Sequence, residues 1–73
     1  MEINMITFID INKQERQAKS LIVVTDKGKD FVEAEFKSRN PQSNRVWQEY
    51  YPLLEFQKLN STLVLPRKII GTD

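Results

Sequence analysis

Residues 20–37 read SLIVVTDKGKDFVEAEFK, two runs rich in β-branched and aromatic residues on either side of Thr25-Asp26-Lys27-Gly28-Lys29. The flanks have strand composition and the middle has turn composition, so the stretch predicts a β-hairpin. Asp26 suits the opening of a type I turn, and Gly28 suits the left-handed residue of the bulge that follows, which together make a three-residue loop. Thr25 then faces Lys29. The opposed pairs run Val24 with Asp30, Val23 with Phe31, Ile22 with Val32, Leu21 with Glu33, Ser20 with Ala34, Lys19 with Glu35 and Ala18 with Phe36. Alternation sorts these side chains onto two faces. Ala18, Ser20, Ile22, Val24, Val32, Ala34 and Phe36 form the expected inner face. The expected outer face carries Leu21, Val23 and Phe31 near the turn, then Lys19 opposite Glu35 as an attractive cross-strand pair.

Upstream, Ile3, Met5, Ile9 and Ile11 form one row of a strand over residues 2–11, with Ile6 and Phe8 on the other row. Residues 12–17 are polar throughout and suit a solvated connection. A three-stranded antiparallel β-meander follows. Downstream, Asn40-Pro41 has the form of a helix cap with proline in the first turn. Val46, Trp47, Tyr50, Tyr51 and Leu54 then recur at spacings of one and four, which predicts one main helix from about Pro41. Pro52 disfavours helix at Tyr51, so a stop or kink is expected there, with residues 53–59 as a second short turn. Asn60-Ser61-Thr62 fits a glycosylation acceptor pattern but reads as a turn before a short C-terminal strand at residues 62–65, ended by Pro66 and extended at most by Ile69-Ile70-Gly71. The fold class is α+β in one domain spanning residues 1–73. A small five-stranded β-barrel, with residues 45–57 extended, is the alternative.

The chain of 73 residues has a net charge of +1, no Cys and no His. A net charge this small gives no global steering towards nucleic acid or an anionic surface. Without imidazole or thiol, the chain cannot build a Ser-His-Asp or Cys-His triad or a zinc-thiolate site. General acid or base chemistry would fall to carboxylates. Asp26, Gly28 and Asp30 lack the remaining spacing of a calcium loop, and two glycines are too few for a phosphate-cradling loop, so no metal, cofactor or catalytic residue is expected. Met1 leads into residues without the cationic start and apolar core of a signal peptide, and no apolar run approaches ~18 residues. A cytoplasmic protein that does not enter a membrane is the expectation.

A chain of ~60 residues buries only about 60% of the surface its unfolded form exposes, so two apolar sheet faces are hard to cover from within. Ile6, Phe8, Leu21, Val23 and Phe31 make up the second face. At ~25 cal/mol per Å² and roughly 100 Å² each, hiding them is worth on the order of 10 kcal/mol, comparable with the stability of a small domain. Either residues 53–70 wrap round that face or a second molecule covers it. The latter predicts a non-enzymatic protein-interaction or regulatory module that self-associates through its sheet face, with Phe8, Leu21, Val23 and Phe31 as partner-binding residues. The alternative is a single-stranded nucleic-acid-binding module using Lys27, Lys29, Lys37, Arg39 and Arg45, with Phe8 and Phe31 available for stacking. Glu33 and Glu35 oppose it, because they share the face of Phe31 and repel phosphate.

Overall fold

A computed structural model of the chain describes residues 4–68, in the order β1 (Ile6–Ile9), β2 (Glu15–Ala18), β3 (Ser20–Asp26), β4 (Lys29–Lys37), β5 (Val46–Pro52) and α1 (Leu53–Leu59). The strands form two antiparallel sheets, a β1-β2 hairpin and a β3-β4-β5 meander. The α+β class therefore holds, and the described residues form no closed barrel. The expected meander is present with a different membership, because its third strand is β5, beside β4, in place of the first strand, expected beside β3.

The β3–β4 hairpin forms in a register one residue away from the expected one. Lys27 and Gly28 both have positive φ, 52° and 79°, so they are the two central residues of a tight two-residue loop. Two left-handed residues twist the chain to match the right-handed twist of the strands, which a type I turn does not. Asp26 now faces Lys29, and Val24 faces Phe31, Val23 faces Val32 and Leu21 faces Ala34. Since side chains alternate, the slip turns all of β3 over. Val32, Ala34 and Phe36 are inward as expected, but they are joined by Leu21 and Val23 in place of Ile22 and Val24. The three-residue bulged turn expected here occurs instead at β1–β2, where Lys13 N–H donates to Asp10 O at 2.8 Å and Lys13 takes φ 62°.

Residues 46–52 are a strand rather than part of a helix from Pro41. Trp47 and Tyr51 face the core and Tyr50 faces outwards. The inward position between Trp47 and Tyr51 belongs to Glu49, and that carboxylate broke the alternation that would have marked a strand. The polar run of residues 12–17 likewise passes into β2, whose inward members are Arg16 and Ala18.

Only Lys19 separates β2 from β3, and its N–H donates to Glu35 O at 2.6 Å, so the chain turns a corner there and passes from one sheet to the other. The corner folds the β1-β2 hairpin onto the inner face of the meander. Ala18 and Ala34, both fully buried, let the layers approach. Phe8 lies at the centre, with ring centroids 6.1 Å from Phe36, 5.7 Å from Tyr51 and 5.4 Å from Phe56.

Pro52 precedes α1 with φ −58° and ψ 135°, so the expected break falls there, and the short turn expected over residues 53–59 is this helix. Glu55 in the first turn and Lys58 in the last complement the helix dipole. A helix this short does not persist alone, and α1 is held by Phe56, which is 1% exposed. Asn60 ends it. Its Nδ2 donates to Ile9 O at 2.8 Å and Phe56 O at 3.0 Å, and its Oδ1 accepts from Ile9 N at 2.7 Å. Asn60 of the acceptor-like Asn60-Ser61-Thr62 thus serves as a buried clasp between α1 and β1.

No strand forms at residues 62–65. Leu63 and Leu65 pack on the core while Val64 is 95% exposed, so the segment is extended without a ladder. Pairing occurs further on, where Val23 N–H donates to Pro66 O and Lys68 N–H donates to Val23 O, both at 2.8 Å. The expected roles of Ile3 and of Ile69-Ile70-Gly71 lie outside the described residues.

Left-handed φ costs a non-glycine residue about 1–2 kcal/mol, less for Asn. Lys27→Asn is therefore expected to raise stability by about 0.5–1 kcal/mol, a rise of roughly 2–8 °C in Tm for a domain of this size. Thermal unfolding measures it, and an unchanged or lowered Tm contradicts the two-residue loop.

Candidate functional site

The register decides which expected contact residues are accessible. Phe8, Leu21 and Val23 are 2%, 2% and 5% exposed, enclosed by the chain's own neighbours. Their expected outward placement is corrected: the β1-β2 hairpin, α1 and Leu63 and Leu65 cover that face from within. Phe31 does lie on the solvent side, half-buried, and is joined there by the residues that the slip turned outwards. Along the outer face, Val24, Phe31 and Pro52 form one row and Ile22, Glu33 and Tyr50 the next. Ser20, Glu35 and Gln48 follow, and then Lys37 and Val46. Apart from Glu33, one end of this face is apolar, and the other is polar.

The apolar end is built from β-branched and aromatic residues adjacent to the tight turn. Tyr50 is 56% exposed, and its hydroxyl donates to Glu33 Oε2 at 2.7 Å, a bond that raises the tyrosine pKa and fixes the ring on the face. Val24, Phe31, Tyr50 and Lys68 border a shallow groove. On the opposite side of the hairpin, in the row that follows Val23 and Val32, Arg67 bonds Asp30 at 3.3 Å and Thr25 Oγ1 donates to Asp30 at 2.6 Å; these bonds hold the Asp30 carboxyl below its ordinary pKa, with Arg67 the larger cause.

The basic residues divide between the two ends of β4. Lys27 and Lys29 sit at the β3–β4 turn, and Lys37, Arg39 and Arg45 sit at the β4–β5 loop. Eight residues of strand at ~3.3 Å each place Lys29 roughly 26 Å from Lys37, so the five cations form no common patch. Lys37 and Arg39 border a groove with Met5, Gln17 and Asn40, and Arg45 lies 5.5 Å from the Trp47 ring centroid nearby.

Residues that the sequence reading did not single out, Arg16 and Glu49, form the best-organised polar cluster. Arg16 stacks 4.5 Å from the Phe36 centroid, donates to Asp10 at 3.3 Å and reaches both oxygens of Glu49, at 3.4 and 3.3 Å. Glu49 also accepts from Trp47 Nε1 at 3.0 Å and Tyr51 Oη at 2.8 Å. Burial works against the charge of Glu49, yet the Tyr51, Trp47 and Arg16 bonds outweigh it and keep the carboxyl below its ordinary value. Desolvation, then Glu49, pushes the Tyr51 hydroxyl far upwards, so it stays protonated. Asp10, 2% exposed, is lowered chiefly by the Gln14 N–H and also by Arg16 and the Asn12 N–H. Every member has its partner within the cluster, which marks these side chains as ties between the two sheets. Among the described residues no three acidic side chains gather closely enough to hold a metal ion, and no helix is long and apolar enough to cross a membrane.

Compared with protein-family models, curated proteins and solved structures, the chain finds no match in any of the three.

Folding lowers the Asp10 and Glu49 pKa values, so their contribution is complete above the ordinary carboxylate range and is lost as pH falls through the lowered folded values. Glu49→Gln is expected to reduce stability at neutral pH by about 1–2 kcal/mol and to make the acid limb shallower than in the parent chain. Urea unfolding from pH 7 down to the acid limb checks both; identical curves exclude Glu49 as a tie between the sheets.

Proposed function

We propose that the chain is a non-enzymatic protein-interaction module that self-associates through the outer face of its β3-β4-β5 sheet. The observation that supports this is the clustering of Ile22, Val24, Phe31 and Tyr50 at one end of a face that no other described element covers. The contact passes from Phe8, Leu21 and Val23 to their alternating neighbours, and Phe31 is common to both sets. A second copy is the simplest partner, because apolar end against apolar end is self-complementary under a two-fold axis. The polar end of each copy carries Lys19 and Glu35, 3.9 Å apart, which fix the orientation in which two faces meet, and Glu33 within the apolar end keeps the Tyr50 hydroxyl as its partner.

A second reading draws on the loop of Lys37, Arg39 and Arg45, which gathers three cations beside an aromatic ring and a groove with Asn40 and Gln17. Such a site suits single-stranded nucleic acid through phosphate contact and stacking. It predicts binding that weakens steeply with salt and is lost in Arg39→Glu.

The face reading predicts that Phe31→Asp halves the solution mass measured by light scattering while leaving the circular dichroism unchanged. An equal mass for parent and variant across the micromolar to millimolar range contradicts it.

A further inference from the structure

The meander has two edges, and the chain treats them differently. Pro66 and Lys68 occupy the outer edge of β3 by bonding both backbone groups of Val23. Among the described residues, the outer edge of β5 has no strand beside it, and no other backbone group bonds to it. The phase of that edge follows from one bond. Ser38 N–H donates to Arg45 O at 3.0 Å, and hydrogen-bonded pairs alternate along an antiparallel ladder, so Trp47, Glu49 and Tyr51 turn their backbone groups towards β4. Val46, Gln48 and Tyr50 turn theirs outwards. Pro52 falls in the same outward phase, the one place in such a strand where a missing N–H does not break the ladder.

We propose that two copies of this chain pair antiparallel through their β5 edges about a two-fold axis at Gln48, joining two meanders into one six-stranded sheet. This goes beyond the face reading because it uses a different surface. Outward residues must face outward residues, which leaves few registers. With the axis at Gln48, Val46 faces Tyr50 of the second copy and Gln48 faces Gln48. All three outward residues of each copy are then bonded, giving about six hydrogen bonds at two per facing pair. An axis at Glu49 sets carboxylate against carboxylate and matches Val46 with Pro52, which has no N–H to give. An axis at Trp47 carries Tyr50 past the end of the partner strand, to Asn44. Only the Gln48 register satisfies the whole edge. It also makes cross-strand neighbours of Val46 and Tyr50, 43% and 56% exposed, and places Trp47 opposite Glu49 of the second copy without opposing like charges. Residues 46–52 contain no Lys, Arg or bulge to blunt the edge.

The experiment is light scattering in the Phe31→Asp background, where the outer face is disabled and only the edge remains. The expected result is a particle of twice the 8.6 kDa chain mass at high concentration, reduced to 8.6 kDa by adding Gln48→Pro. That proline removes an N–H that faces away from β4, so the circular dichroism is unchanged. Val46→Lys with Tyr50→Lys sets lysine against lysine across the axis and is expected to halve the mass in the same way, which covers a failure of the proline variant to fold. Gln48→Ala, which keeps the backbone groups, remains paired. A Phe31→Asp chain that stays at 8.6 kDa throughout, or a folded Gln48→Pro or double-lysine variant that keeps the doubled mass, overturns the edge proposal. Failure of the face reading shows separately, as a parent mass equal to that of Phe31→Asp.

Discussion

Arg16 is the side chain on which the two layers meet. It projects from β2 onto the ring of Phe36 in β4, bonds Asp10 at the end of β1 and grips Glu49 in β5. A guanidinium suits this position because its planar fork matches a carboxylate and its weakly hydrated face stacks on an aromatic ring. The arrangement removes much of three charges from water, and it holds because each charged group keeps a partner. Glu49 gathers Trp47 and Tyr51 on the same oxygens, so one polar cluster sets the angle of the hairpin, the rotamers of two core aromatics and the inward face of β5.

Asn60 does comparable work at the other end of the core. Its amide meets both backbone groups of Ile9, as a neighbouring strand would, and also closes the last turn of α1. The helix is brought over Phe8 through Phe56, and the extended segment after it brings Leu63 and Leu65 to the same core. The tail then reaches the edge of β3. A chain of 73 residues thus covers one sheet face with a hairpin, a two-turn helix and an extended segment, and has no described element left for the other. The functional proposals follow from that division. One face of the meander is covered by the chain itself and the β3 edge is met by the tail at Val23, while the apolar end of the outer face and the edge of β5 have no described element against them.

The hairpin at residues 20–37, its antiparallel sense, the inward side of β4, the break at Pro52 and the short helical turn after it were legible in the residues themselves. Each rests on a local rule: turn composition, alternation, or the missing N–H of proline. The strand β2 was not legible, and β5 was read as extended only in the alternative, for one shared reason. Each places a charged residue, Arg16 or Glu49, on its inward row, and alternation of apolar and polar side chains cannot reveal a strand whose inward row contributes to a half-buried ion pair. The high β propensity of Val46, Trp47, Tyr50 and Tyr51 was the available signal, and helical spacing of the same residues masked it.

The register of β3 shows where local reading ends. Leu21 and Val23 compete with Ile22 and Val24 for the core on nearly equal hydrophobic terms, and a loop of two residues or three selects opposite pairs. The residues themselves determine that a hairpin forms and that either of its faces is greasy enough to bury. Tertiary structure decides which face is buried, because the tight turn at Lys27 and Gly28 matches the twist of the strands, and because only one side of the sheet can receive the hairpin that Arg16 ties down.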